Sequence, residues 1–351
     1  MKKTILFLCT AILLGACTKD NKMAKSKDNN LLAGKAKTES VAVADDWVSV
    51  TNQATGKIEI YDPAVADWDS ATALKWSWKP TAAEGYSSYA LTYWDVPNDF
   101  RVRTISAWGG NWLVSCASGG LVTIASYPAG VKRWAYNVGA TVHPHSVELL
   151  PNGNIAVACT DQDSVKVFGS SSSATDNITH ASFHLVGAHS VLWDPNTSTL
   201  RAIGNDHIVA LTVGGTSSPT ISENVAQRGY LVAGGASVYG HDLSSDPNDP
   251  NILWCSTNGG VYKFDKTTLK FTGAPGTLNK SFVKSISIQH SGISVSTRPD
   301  SEKSPMPANP VLTPAWCTRL VDFYSADGIF QYSRTVSGGK FYKAKVFKTP
   351  Y

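Results

Sequence analysis

The chain of 351 residues is short of charge, with Asp, Glu, Lys and Arg making up 17% of it and a net charge of only +4 with histidine neutral. That excludes the concentrated basic face that nucleic-acid binding needs. No apolar run has the length of about 20 residues that a membrane-spanning helix requires. There is no phosphate-cradling GxxxxGK[ST] loop, no CxxC pair and no GxSxG nucleophile turn. Gly109-Gly110 and Gly119-Gly120 fall in hairpin turns and not between a strand and a helix, so neither carries a dinucleotide signal. Also missing is a clear carboxylate pair of the kind most glycosidases use; Glu148 and Asp242 are the acids nearest the candidate site described below.

What the N-terminus has is an address. Lys2 and Lys3 precede an apolar stretch from Ile5 to Leu14, too short to span a bilayer and suited to a signal peptide. It ends in Leu14-Gly15-Ala16-Cys17, which resembles a bacterial lipobox. The resemblance implies cleavage after residue 16, lipidation of Cys17, and a membrane anchor held by several acyl chains. Loss of Lys2 and Lys3 lowers the net charge to +2. Thr18 stands where Asp would suggest retention at the inner membrane, and Lys19-Asp20 resembles surface-export signals of glycan-degrading gut bacteria. An outer-membrane or cell-surface location is therefore expected. Residues 17–45 read as the lipidated cysteine and a tether, since from Asn21 to Asp45 there is no aromatic residue to build a core. Residues 46–351, rich in Trp, Tyr, Phe, Gly and Pro, read as one β-rich domain.

That domain repeats. Segments beginning His145-Ser146-Val147, His189-Ser190-Val191 and His241-Asp242-Leu243 are spaced 44 and 52 residues apart, the length of one four-stranded propeller blade. Fourteen residues after each His come Cys159, Ile203 and Cys255; twenty residues after come Val165, Val209 and Val261. Asn152-Gly153, Asn205-Asp206 and Asn258-Gly259 supply turns. Lys284-Ser285-Ile286-Ser287-Ile288 aligns with the same template, as does Arg103-Thr104-Ile105-Ser106-Ala107, with Cys116 thirteen residues on. Trp47–Thr51 and Lys57–Tyr61 look like second and third strands of a blade with no first strand, and Phe341–Phe347 is a lone strand-like run. Joined, they complete a blade and leave no open sheet edge. The expected fold is an all-β propeller of six four-stranded blades closed by the C-terminal strand, and the chain is expected to be a monomer. Seven blades are the alternative if Ser301–Val311 contains an irregular one. Cys116, Cys159 and Cys255 then hold one equivalent position in separate blades, too far apart for disulfides, and act as small buried hydrophobes.

The same register places Arg103, His145, His189, His241 and Lys284 at the first residue of the innermost strand, around one mouth of the channel. Convergent donors in a concavity are a default binding site, and Arg and Lys favour anions such as uronates, sulfates or carboxylates. Three neutral imidazoles, His145, His189 and His241, are also candidate ligands for a divalent metal such as Zn²⁺ or Mn²⁺. His290 is expected to reach the opposite mouth, and Tyr86, Tyr89, Tyr93 and Trp94 cluster in the Thr81–Asp99 loop, where they would either wall a sugar site or anchor the loop.

Several resemblances bear on the ring. Gly240-His241 and Ala188-His189 resemble the Gly-His dipeptide of WD40 propellers, which implies a structural His bonded to an Asp such as Asp163 or Asp206; the third-strand Trp of that network is missing here. His143-Pro144-His145 through Leu150-Pro151-Asn152-Gly153-Asn154 resembles one segment of propeller aryl sulfotransferases. Propeller pectate-type and peptide-amidating lyases likewise place His ligands on the axis. Over most of its length the chain resembles uncharacterised propeller lipoproteins of glycan-degrading bacteria with YVTN/NHL-like repeats, which implies a link to glycan use. Three functions remain open: a binding module for an acidic or sulfated glycan fragment, a metal-assisted lyase or hydrolase of acidic glycans on the same ring, and a protein-interaction scaffold with a structural His network.

The anchor is tested first. Cys17→Ser should abolish metabolic labelling with palmitate and release the protein from the detergent phase. Equal membrane retention of the variant would refute the lipobox.

Overall fold

Alternating runs of β-branched and aromatic residues, interrupted every few positions by Gly, Asn and Asp, favour short strands and tight hairpins over helices. In the computed structural model, which describes residues 45–349 except 173 and 232–237, that pattern yields six antiparallel sheets among the described residues. The signal peptide, Cys17 and nearly all of the tether lie outside the described residues. Ala42–Tyr351 forms one compact unit.

Blade 1 consists of Val48–Asn52, Lys57–Tyr61 and Leu74–Trp78, with Phe341–Val346 added on the inner side. Blade 2 runs Pro97–Thr104, Asn111–Ala117, Leu121–Tyr127 and Lys132–Asn137. Blades 3, 4, 5 and 6 begin with the inner strands Pro144–Leu149, Ser190–Asp194, Gly240–Ser245 and Ser285–Ile288. In blades 2 to 6 each inner strand pairs with the next strand in sequence, and the sheets continue outwards in chain order. Blade 4 carries an additional short strand, Gly229–Tyr230, on its third strand. The architecture is the expected six-bladed propeller. Ser301–Val311 is not a seventh blade; it belongs to the connection between Ser294–Thr297 and Val321–Tyr324 of blade 6. There the buried Asp300 carboxylate gathers the loop, accepting from the backbone N–H groups of Val311 and Arg319 and from the Thr318 hydroxyl.

Ring closure comes from the last strand. Val48 faces Val346, Ser49 faces Lys345 and Val50 faces Ala344 in antiparallel register. Phe341, fully buried, packs there with Val50, Trp68, Val321 and Phe323. The cores lie between adjacent blades, because second strands such as Ile155–Cys159 are buried on both faces. Outer strands alternate instead: His180–His184 exposes every second residue. Each fully buried Val, Leu, Ile or Phe contributes about 1.5–3 kcal/mol.

Two expectations need correction. The inner strand of blade 2 begins at Pro97 and not at Arg103, so Asn98-Asp99 hold the places occupied by His145-Ser146 in blade 3. Arg103 sits near the far end of that strand. The resemblance of Arg103-Thr104-Ile105 to Lys284-Ser285-Ile286 arose because both strands alternate polar and apolar residues, and that pattern alone does not fix where a strand starts. The cysteines are not equivalent either. Cys116 pairs with Asp99, Cys159 with Pro144 and Cys255 with Leu243, three different levels of the blade. All are free and buried.

Removing Phe341–Tyr351 should leave an open ring that aggregates or fails to fold. Phe341→Ala should keep the fold and lose about 3–5 kcal/mol in urea denaturation. An unchanged midpoint in either variant would refute closure by this strand.

Candidate functional site

A register shift recurs where the inner strands of blades 2, 3, 5 and 1 begin, between Pro97 and Asp99, Pro144 and Ser146, Gly240 and Asp242, and opposite Val50 and Asn52. Such a bulge re-aims side chains, so two consecutive residues can face the axis. The outer of the two forms the mouth: Asn98, His145, His189, His241, Lys284 and Tyr342. Four of the five expected residues are therefore brought together. Arg103 is not among them; Asn98 takes its place, donating to the Pro144 carbonyl and accepting from Ser118.

The imidazoles form a stack. His145 and His189 lie face to face with centroids 4.1 Å apart, and His241 meets His189 edge-on at 4.8 Å. His241 Nδ1 lies 3.2 Å from His189 Nε2, and His145 Nδ1 is 3.1 Å from the Tyr342 hydroxyl. His241 Nε2 has two neighbours, Asn258 Oδ1 at 2.6 Å and Lys284 Nζ at 2.9 Å. As an N–H it donates to Asn258; as a lone pair it accepts from Lys284. Burial, reinforced by Lys343, His143 and Lys284, pushes His145 down to about 3. Burial also drives His189 and His241 well below the ordinary histidine range. Lys284 is held down to about 8 by burial, partly offset by Glu302. The mouth is therefore a polar, largely neutral surface with one ammonium group, less cationic than its sequence suggested. Asp163 and Asp206 do not reach these rings: Asp163 accepts from the Gly187 N–H, and Asp206 from His207. Among the described residues no three His, Cys, Asp or Glu side chains come together as a metal site.

The inner of the two residues stitches blades together. Asp99, Ser146, Ser190 and Ser285 accept backbone N–H bonds from Val147, Val191, Leu243 and Ala344 of the following blade. This explains why the position is small and polar. The axis below is filled by buried charge. Lys345 Nζ contacts Asp99 at 2.8 Å and Asp242 at 2.9 Å. Lys343 Nζ donates to the His145 carbonyl at 3.1 Å and lies 3.5 Å from Asp242. Arg103 grips both oxygens of the fully buried Glu148 at 2.9 Å. Burial opposes ionisation of Asp99, but Lys345, Lys343 and Arg101 outweigh it and hold the carboxyl below its usual range.

At the opposite end of the inner strands lies a cavity of about 340 Å³, with Arg101, Arg103, Lys345, Lys348 and His290 around it. Phe100, Leu192, Trp193 and Phe347 supply apolar wall. Asp194 also lines it and is neutralised by Lys266 at 2.6 Å and Arg201 at 3.6 Å. Arg101 is held differently from Arg103. Its guanidinium stands 3.7 Å from Asp99, its buried Nε faces a Glu148 oxygen at 3.5 Å, and its bond to the Val191 carbonyl is a long 3.5 Å. His290 reaches this mouth as expected. Asp99, Arg101, Lys343 and Lys345 were missed by sequence reasoning. Their signal was present as alternation in Asp99-Phe100-Arg101-Val102-Arg103 and in Lys343-Ala344-Lys345, which puts every second side chain on the axis.

The model of a family of unknown function, DUF6528, matches residues 1–297. No curated protein matches the chain. In solved structures it is similar to a protein of unknown function from Bacteroides caccae, 9% identical, with a TM-score of 0.54 over 86% of this chain and 98% of that one. It is similar also to a chain of a nidogen/laminin complex, 12% identical, with a TM-score of 0.53 over 88% of this chain and 100% of that one. At such identities the likeness extends to the fold alone.

The lowered histidines carry a pH signature. As pH falls from about 6.5 towards 3, the unfolded chain binds protons that the folded mouth refuses, so stability falls through that window. Below about 4 the unfolded chain also takes up a proton at Asp99 that the folded network keeps off, which adds to the decline. The melting temperature should decline between pH 7 and 4, and His145→Gln should flatten the decline. An equal decline in the variant would refute the neutral-imidazole assignment.

Proposed function

The chain belongs to the DUF6528 family of unknown function, and from that premise we propose that it is a binding module whose axial cavity takes the carboxylate of an acidic glycan fragment. The observation that carries this reading is Arg101, only 7% exposed, lining the cavity with no hydrogen bond or ion pair shorter than 3.5 Å. A guanidinium held only by long contacts keeps donor capacity, and a carboxylate meeting its terminal nitrogens would add charge-assisted bonds. Glu148 already satisfies Arg103, so Arg101 is the group with capacity to spare. Lys348 at the same cavity adds a positive charge, partly balanced by Asp246. The apolar wall suits the C–H face of a pyranose ring, which makes a uronate a better fit than a bare inorganic anion. A cavity of about 340 Å³ is at the small end of ligand sites and suits one or two sugar units.

This reading moves the anion from the histidine mouth to the other end of the axis, because burial holds the imidazoles neutral. It retains export and lipidation at Cys17, which would hold the propeller at the outer membrane or cell surface.

Titration calorimetry with digalacturonate is the test. The wild type should bind at millimolar or lower concentration, more weakly as salt rises. Arg101→Lys, which keeps the charge and loses the fork, should weaken binding about tenfold, or about 1.4 kcal/mol. Absence of binding in the wild type, or equal affinity in the variant, would sink the proposal.

A further inference from the structure

The Thr81–Asp99 segment divides its aromatic residues between two tasks. Tyr86 and Trp94 are buried: the Tyr86 hydroxyl bonds Thr123, and Trp94 Nε1 donates to the Gly56 carbonyl. Tyr89 is not used this way. It sits on the one-turn helix Ser88–Leu91, is 64% exposed, and borders a second cavity of about 310 Å³ at the outermost strand of blade 2. Ser87, Leu121, Lys132, Tyr136 and Asn137 complete its lining.

Exposure alone would mean little, but Tyr89 is held in place. Tyr93 meets its ring edge-on with centroids 5.0 Å apart. Tyr93 is itself fixed, because its carbonyl accepts the Leu121 N–H. Asn137 is oriented by accepting the Gly139 N–H. A ring braced at its edge and 64% exposed binds a flat apolar surface at low entropic cost. The groups around it are an amide, an ammonium and hydroxyls, and no carboxylate lines the cavity.

We propose that this cavity is a saccharide subsite, in which Tyr89 stacks on the C–H face of a neutral pyranose while Asn137 and Lys132 bond its hydroxyls. A sugar combines an apolar face with a rim of hydroxyls, and this arrangement matches both. The single ammonium group without a matched fork gives a carboxylate no bidentate partner, which separates this subsite from the axial cavity. The assignment rests on the blade 2 geometry and stands whether or not the axial cavity binds a uronate.

The experiment is saturation-transfer NMR on the whole protein with cellohexaose, xylohexaose, mannohexaose and hexagalacturonate, each alone. At least one neutral hexasaccharide should bind at millimolar concentration, insensitive to salt. Tyr89→Ala removes only an exposed ring, so the variant should melt as the wild type does and lose about tenfold in affinity. Tyr89→Phe should retain most of the binding, since the stacking face remains. Arg101→Lys should leave it unchanged. The proposal is overturned if no neutral hexasaccharide binds, if Tyr89→Ala binds as well as wild type, or if only hexagalacturonate binds. Loss of hexagalacturonate binding in Arg101→Lys with neutral binding intact would speak for the axial reading independently.

Discussion

Lys345 reaches the axis from the last strand and meets Asp99 of blade 2 and Asp242 of blade 5 within 3 Å. The rest of the ring depends on that contact. Taken singly, a buried ion pair adds little net stability, since desolvation offsets most of the attraction; removing one partner costs about 3–5 kcal/mol because a charge is stranded. Its effect here is on register. A slip of one residue in Phe341–Val346 would turn Lys343 and Lys345 off the axis and bring Ala344 onto it, stripping Asp242 of both its lysines and leaving Asp99 with Arg101 alone.

The same network sets the character of the two mouths. It consumes charge in tight pairs: Glu148 with Arg103, Asp99 and Asp242 with Lys345, Asp194 with Lys266. What escapes pairing decides where a ligand would be drawn. At one end the lysines beneath the histidines help to keep them unprotonated. At the other, Arg101 is surrounded by acids yet touches none closely. Polarity thus differs between two ends that the repeat makes topologically similar.

The architecture was legible because it is local and periodic. Three copies of one template, the turn residues between strands and a lone C-terminal strand specify six blades and their closure. The histidine mouth was legible for the same reason, since His145, His189, His241 and Lys284 occupy one place in the repeat. Blade 2 escaped, because Asn98-Asp99 resemble the template less than Arg103-Thr104 do, and only the pairing of Pro97 with Ala117 fixes the start of that strand. The axial ion network could not be read, as its partners lie up to 246 residues apart and belong to blades that meet only once the ring exists. Neutral histidines were also out of reach, because burial is a property of the ring and not of any segment.

The order of elements has a consequence for biogenesis. The strand that completes blade 1 follows every other blade strand in the chain. During synthesis, therefore, Val48–Asn52 waits without its inner partner, and Asp99 and Asp242 wait without their lysine, until the final strand emerges. A nascent chain of this design cannot lock prematurely. Its ring closes only once Phe341–Val346 is available to pair with Val48–Asn52.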